Sequence, residues 1–208
     1  INKLTNEFSE KEVIPLEEYK LKNIIHHTEF DSTQTHLAVI IPAISRSDPD
    51  YYNLLVANYI FGGSGFGSWL MEEIRQKRGL SYSVYSYLSN YQNSGYLRIS
   101  LQTKNESISL AKNIIREQVD KLSRFDVEDA KITATKNAIL RSFEMRADTN
   151  RKILNLISSI NYLNLDLNYF ENYKNNLKQV NKDSIKAAMN RAMDFDNISV
   201  FTVGKSIE

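Results

Sequence analysis

The stretch FGGSGFGSWLMEEIRQKRGLSYSVYSYLSNY, residues 61–91, holds the most informative pattern in the chain. Five of the 7 glycines lie between Gly62 and Gly79, which indicates backbone conformations that other residues avoid. Residues 68–77 carry apolar side chains at helical spacing, and Gly79 ends that segment. Alternating apolar and polar residues begin at Tyr82 and predict a strand over 82–90.

Strand patterns continue on both sides of this stretch. The Asn-Ser-Gly sequence at 93–95 is typical of a turn, and the alternation over 96–102 predicts a second strand antiparallel to the first. Upstream, β-branched and apolar residues predict a strand over 34–42. Residues 19–30 are compatible with another strand, which a hairpin across 31–32 would pair with 34–42.

Helical periodicity dominates the remainder. A first helix is predicted from residue 51 to the glycines at 62–63, because an Asp-Pro cap signal precedes a run of apolar residues at helical spacing. Further predicted helices cover 68–77, 107–122, 126–145, 150–161, 168–180 and 182–193, and a last strand covers 197–203.

Strand pairs therefore alternate with blocks of helices, which predicts an α+β fold with helices packed on one face of an antiparallel sheet. Residues 1–18 are polar and charged and indicate a linker or arm, and residues 19–208 indicate a single domain.

Bulk composition excludes several classes of function. A net charge of +1 gives no general attraction to nucleic acid or to a membrane surface. The absence of cysteine excludes disulfides and thiolate metal sites. No apolar run approaches the roughly 20 residues that span a bilayer.

Exposed aromatic residues beside an arginine would suit single-stranded nucleic acid, and Tyr85, Tyr87, Tyr91 and Arg98 offer such a set. The near-neutral charge and the lack of a basic stripe argue against that interpretation. The preferred interpretation is a tyrosine-lined sheet face packed under helices.

A hydrolytic zinc site needs typically three side-chain ligands and a general base. The chain has only His26, His27 and His36. His26 and Glu29 match the first half of H-x-x-E-H, but Phe30 follows. The stretch also has strand character, whereas the motif needs a helix, so these histidines are predicted to lie on or beside an early strand.

Serine-hydrolase and nucleotide-binding motifs are also missing, because G-x-S-x-G, G-x-x-x-x-G-K-[ST] and G-x-G-x-x-G do not occur. The glycine-rich run follows a predicted helix, so the phosphate-binding turn after a strand is unavailable. Its simplest interpretation is a helix-to-helix turn with close backbone approach.

Arg75 and Tyr82 are the sharper pair of candidates. The turn at Gly79 would bring both side chains to one end of the sheet, where a guanidinium and a phenol can hold carbonyl oxygens or carboxylates. The structural alternative is a solvated arginine at a helix C-terminus and a tyrosine in the core. The residue pattern alone favours that alternative.

The combined pattern resembles the second, zinc-free half of the insulinase-type zinc peptidases (inverzincins), which include pitrilysin and mitochondrial processing peptidase. More narrowly, it is similar to that half in bacterial zinc proteases. IRQKRGLSYSV over 74–84 is the specific part of the likeness. Supporting matches are QTH at 34–36, DPDYY at 48–52, the GG turn at 62–63 and ISVFTVG at 198–204.

This resemblance implies an α+β roll and two such halves that close on a peptide, either fused or as a dimer. One half carries H-x-x-E-H, a zinc ion and a further glutamate, and the other contributes an arginine and a tyrosine that match Arg75 and Tyr82. By resemblance, Tyr82 would hydrogen-bond the substrate carbonyl or its tetrahedral intermediate, and Arg75 would anchor the substrate. The turn that would shape the cleft beside them consists of Gly62, Gly63, Gly65 and Gly67.

Because H-x-x-E-H is absent, the chain is not expected to hydrolyse peptides alone or to hold a cofactor. Zinc is expected in a partner half, in the same polypeptide or in a separate subunit, and the other expected partner is a peptide substrate. The alternative is a non-catalytic structural or assembly subunit of the same fold. In a bacterium, the periplasm is slightly favoured over the cytoplasm. Trp69 departs from a position where the family commonly has arginine.

Overall fold

A computed structural model of the protein describes residues 23–166 and 168–206. Its centre is a five-stranded sheet in the order β1-β5-β2-β4-β3. The strands are β1 (Ile25–Glu29), β2 (Gln34–Ala43), β3 (Val84–Asn90), β4 (Gly95–Lys104) and β5 (Ser199–Gly204). Helices complete an α+β fold, which confirms the predicted class.

The described helices follow the predicted periodicity closely. They are α1 (Tyr51–Asn58), α2 (Ile108–Arg124), α3 (Asp129–Glu144), α4 (Asn150–Tyr162), α5 (Tyr169–Gln179) and α6 (Lys182–Ala192). Two segments are wound more loosely than an α-helix. α1 continues as the π-helical turn Tyr59–Gly63, and most of the helix predicted over 68–77 is the π-helical segment Met71–Gln76.

Strand pairing confirms one predicted hairpin and contradicts the other. β3 and β4 pair antiparallel, with Asn90 opposite Gly95. The predicted hairpin across 31–32 is wrong, because β2 pairs with β4 and β5 on its two sides and β1 pairs parallel with β5. β1 reads IHHTE and is exposed at every position, so it suits the sheet edge, whereas the more apolar β5 takes the inner place.

One face of the sheet forms the core with the helices. Leu37, Val39 and Ile41 of β2 are buried, and alternate residues of β4 join them. On β3 the buried residues are Val84 and Ser86, while Tyr85 and Tyr87 are exposed. The prediction of a tyrosine-lined face packed under helices is therefore wrong. Val84 and the small Ser86, whose hydroxyl is satisfied by Asn58, take the core side, and the alternation of the strand sends the tyrosines outward.

The π-helical turn after α1 lies directly against β3. A Cβ at Gly62 would sit 2.5 Å from Ser86 Oγ and 2.7 Å from Ser86 N, so only glycine allows this approach. The buried Ser86 hydroxyl donates to Asn58 Oδ1 at 2.6 Å, which ties β3 to the end of α1. This contact fixes where the glycine-rich loop leaves the core.

Candidate functional site

Arg75 lies in the last turn of Met71–Gln76, and the chain reverses immediately after it. Gly79 has a left-handed φ of 61°, and its N–H donates to the Arg75 carbonyl at 3.0 Å. The Leu80 N–H donates to the Ile74 carbonyl at 2.9 Å. These bonds use carbonyls that would be unpaired at the helix end, and they turn the chain back towards β3.

The residues around Tyr82 are held by the neighbouring strand. Thr103 Oγ1 donates to the Leu80 carbonyl at 2.6 Å. The buried Ser81 hydroxyl lies 2.7 Å from the carbonyl oxygens of Ser83 and Gln102. Tyr82 itself precedes β3, which begins two residues later than predicted, and its side chain is 83% exposed. The alternative that placed Tyr82 in the core is therefore wrong.

The turn brings Arg75 and Tyr82 into contact. The Arg75 guanidinium carbon lies 4.4 Å from the centroid of the Tyr82 ring and 4.6 Å from the centroid of the Phe66 ring. A guanidinium at these distances is attracted by the electron-rich faces of both rings. The two rings hold the arginine in place while its N–H groups remain available for a ligand.

Arg75 differs from the two basic residues that follow it, Lys77 and Arg78, because it forms no ion pair with a described carboxylate. Glu73 accepts from Lys77 at 2.6 Å and from Arg78 at 2.5 Å, and these hydrogen bonds hold the pKa of the Glu73 carboxyl below its usual value. Within residues 23–166 and 168–206, no carboxylate lies within 4.0 Å of the Arg75 guanidinium. Its positive charge contacts the neutral rings of Phe66 and Tyr82, and no described carboxylate neutralises it.

Phe66 was not predicted from the sequence as part of this surface. It sits between Gly65 and Gly67, whose φ angles of 69° and 100° are left-handed, and its ring is 69% exposed. Lys131 Nζ donates to the Gly67 carbonyl at 3.3 Å and connects the loop to α3. An aromatic residue flanked by glycines in a polar turn was the available signal.

Trp69 packs away from this surface. Its ring lies 6.5 Å from the ring of Phe61 and 6.2 Å from that of Phe125, and Lys121 Nζ lies 4.4 Å from its centroid. The side chain thus joins the start of the helical segment to α2. The departure from arginine at this position is accommodated by packing.

The histidines lie on strands, as predicted. His26 and His27 are on β1 and His36 is on β2. The His27 ring contacts Thr202 Oγ1 at 2.9 Å and Glu29 at 3.4 Å. In the part of the chain that the structure describes, no group of three or more His, Cys, Asp or Glu side chains is placed to hold a metal ion. These residues do not fit a zinc site. Nor does any described helix have the length and apolar character needed to cross a bilayer.

The α+β fold, with helices packed on one face of a five-stranded sheet, places this chain in the class of peptidase-type inactive domains. The family model for the peptidase M16 inactive domain matches residues 2–139, and the chain belongs to this family. The resemblance to insulinase-type peptidases is thereby confirmed.

Individual relatives agree with this assignment. The chain is 38% identical over 143 residues to the "Non-peptidase homolog YmxG" of Helicobacter pylori, and the matched region covers 64% of this chain and 31% of that protein. It is 30% identical over 124 residues to the "Uncharacterized zinc protease YmxG" of Bacillus subtilis, and this match covers 59% of this chain and 30% of that protein. A solved peptidase M16 inactive domain from Pseudomonas fluorescens has a TM-score of 0.82 and 31% identity, over 89% of this chain and 44% of that one.

The chain spans about a third of the length of these curated relatives and less than half of the solved one. It corresponds to the inactive, C-terminal type of domain in zinc-protease-like proteins.

Proposed function

We propose that this chain is the substrate-binding half of an M16-type metalloendopeptidase, and that it completes the active site of a half bearing H-x-x-E-H and zinc. The observation that carries the proposal is the contact of Arg75 with Tyr82, 4.4 Å from the guanidinium carbon to the ring centroid, on an exposed surface. The histidines of this chain do not fit zinc, so the metal and the attacking water belong to the partner half.

Tyr82 has the role of a hydrogen-bond donor to the scissile carbonyl. Its hydroxyl makes no hydrogen bond to another described residue, so it is free to donate to an oxygen that gains negative charge. Fixed donors of this kind are among the largest contributions to acyl-transfer catalysis. Arg75 anchors the backbone carbonyls or carboxylates of the peptide beside it.

The glycine-rich turn acts as the wall of this surface. Gly62 fixes its root against β3, and Gly65 and Gly67 provide the left-handed backbone that presents Phe66 to Arg75. The turn thereby limits the positions that the guanidinium can adopt. Binding geometry of this precision lowers the entropic cost of reaching the transition state.

The test is a reconstitution of two halves. The chain is mixed with the H-x-x-E-H half found in the same reading frame or in a neighbouring one, and cleavage of an unstructured peptide is followed by mass spectrometry. We expect activity from the mixture and none from either half alone. Arg75→Ala should lower this activity without unfolding the chain, and Arg124→Ala, which changes an exposed arginine at the end of α2, should not. Equal cleavage by both variants would contradict the assigned role.

The second candidate is a non-catalytic structural or assembly subunit. The observation that favours it is the name of the Helicobacter pylori relative, which calls that protein a non-peptidase homolog. A stable complex that contains no zinc-bearing half would support this alternative. Zinc-dependent cleavage by the reconstituted halves would exclude it.

A further inference from the structure

Arg46 is a buried cation held by tyrosines. It follows β2, its side chain is 8% exposed, and its guanidinium carbon lies 3.5 Å from the centroid of the Tyr51 ring. The rings of Tyr52 and Tyr169 are 5.5 and 5.4 Å away. Arg46 Nη2 donates to the Tyr169 hydroxyl at 3.0 Å. Stacking on Tyr51 leaves the edges of the guanidinium plane for hydrogen bonds.

No carboxylate neutralises this arginine. Among the described residues none lies within 4.0 Å of the Arg46 guanidinium. The acidic group nearest in sequence, Asp48, accepts from Arg191 and from the backbone N–H of Asp50. A buried charge without an anionic partner is costly, and cation–π contacts offset only part of that cost. A ligand that brings a negative charge would therefore gain binding energy here.

Arg46 opens onto a cavity of about 510 Å³ between the loop after β2 and helix α5. Three carboxamides of α5 line it at helical spacing, and a fourth follows α4; they are Asn172, Asn176, Gln179 and Asn164. None of these four side chains makes a hydrogen bond to any residue that the structure describes. The cavity thus combines one cation with several free amide donors and acceptors.

We propose that this cavity binds the C-terminal carboxylate of a peptide. The free edge of the Arg46 guanidinium takes the carboxylate, and the carboxamides of α5 bond the last backbone amides, which offer the same donors and acceptors. Asp48 and Asp166 also line the cavity and disfavour a phosphate dianion, whereas a carboxylate preceded by peptide N–H groups suits both signs of charge. The ligand is thus a peptide end.

This site is separate from the surface around Arg75 and does not depend on the proposed function. The backbone N–H of Arg46 donates to the carbonyl of Tyr91, just past the end of β3, while Tyr82 precedes the beginning of that strand. A strand of 7 residues is about 23 Å long. The two sites therefore lie near opposite ends of β3, and loss of either one leaves the other intact.

Fluorescence anisotropy with the whole chain tests the proposal. The probe is a fluorescein-labelled hexapeptide of alanine and glycine, prepared with a free carboxylate and, separately, with a C-terminal carboxamide. We expect the free acid to bind at least about tenfold more tightly, because a charge-assisted hydrogen bond is lost in the amide. Equal binding of the two forms would overturn the proposal. So would the absence of binding at a protein concentration of about 1 mM, which detects affinities as weak as a millimolar Kd. If acetate at the same concentration as the free-acid hexapeptide displaces that hexapeptide, the ligand is a small acid and the peptide assignment is overturned.

Two variants locate the binding. Arg46→Gln should abolish the difference between acid and amide. Because this change removes buried stacking, Asn172→Ala provides a second test on the half-exposed cavity wall. It should weaken binding about threefold or more by removing a hydrogen bond. Asn175→Ala on the same helix, outside the cavity, is the matched control and should bind like the wild type. Equal affinity of the Asn172 and Asn175 variants would argue against the site.

Discussion

The Arg75 guanidinium carbon lies 4.4 Å from the centroid of the Tyr82 ring, although a helix end and a left-handed glycine separate the two residues in the chain. This contact exists because Gly79 reverses the chain and Thr103 holds the returning segment through the Leu80 carbonyl. The arginine is positioned by aromatic faces instead of by a carboxylate, so its charge remains available for a ligand.

Tyr82→Phe removes the hydroxyl and keeps the ring, so it distinguishes the contributions of these two groups. The phenylalanine keeps the stacking with Arg75, so the free energy of unfolding should stay within about 0.5 kcal/mol of wild type. In the reconstituted peptidase we expect kcat to fall by about 100-fold, because one donor to the developing oxyanion is lost. Steady-state kinetics and urea denaturation measure the two effects. The control is Tyr85→Phe on β3, a second exposed tyrosine, which should leave kcat unchanged. A Tyr82→Phe enzyme with normal kcat would show that the hydroxyl does not act on the carbonyl.

Phe66→Ala should remove one of the two ring contacts that position the Arg75 guanidinium, without affecting the fold. The ring is 69% exposed, and a cation–π contact at an exposed site is worth about 0.5–1 kcal/mol, so KM should rise about two- to fivefold. Peptide titration of the reconstituted enzyme measures this change. Phe30→Ala removes a ring that is 61% exposed on the loop after β1 and should leave KM unchanged. If both variants raise KM equally, the Phe66 ring has no specific role.

Gly62→Ala should destabilise the protein even though alanine is the better helix former. A Cβ at Gly62 would meet the Ser86 backbone nitrogen at 2.7 Å, and this overpacking should cost roughly 1–3 kcal/mol, more than the helix-propensity gain of about 1 kcal/mol. Urea denaturation gives the change in the free energy of unfolding.

Gly63→Ala is the matched control for that change. Its Cβ would meet Asn58 Nδ2 at 2.9 Å and the Asn58 carbonyl at 3.2 Å, with no backbone atom of β3 as close, so the loss should be smaller than for Gly62→Ala. Equal stabilities of the two variants would refute the close approach of the π-helical turn to β3.

Glu73→Gln should flatten the acid side of the pH–stability profile. Hydrogen bonds from Lys77 and Arg78 lower the pKa of the folded Glu73 carboxyl from 4.5. Its stabilising contribution is therefore present above pH 4.5 and is lost as the pH falls through the lowered value. Because the partners are exposed, the effect should be below about 1 kcal/mol. Thermal melts between pH 6 and about pH 3 measure it. Glu117→Gln on α2, with no ion pair to a described residue, should keep the wild-type slope.

Local patterns predicted the elements of this fold well, and they failed where elements meet. The β3–β4 hairpin and the helices could be predicted because periodicity and turn chemistry are properties of neighbouring residues. The pairing of residues 25–29 could not, because the short loop after them suggested a hairpin. The place beside β2 is taken by β5, which comes from the far end of the chain.

The candidate surface divides in the same way. Arg75 and Tyr82 were identified by their resemblance to a family motif, whereas their spacing alone favoured a structural explanation. Phe66 carries no motif, and its contact with the Arg75 guanidinium is formed only by the tertiary structure. Arg46 has no motif around it in the sequence, and only the tertiary structure buries it among three tyrosines.

The sequence by itself determined the α+β class, the family and the absence of H-x-x-E-H. The tertiary structure decided which strand occupies the inner place in the sheet, which face of β3 reaches solvent, and which cations lack an anionic partner. The physical reason is that helix and turn preferences depend on a few adjacent residues, whereas strand order, burial and charge pairing depend on contacts between residues far apart in the chain.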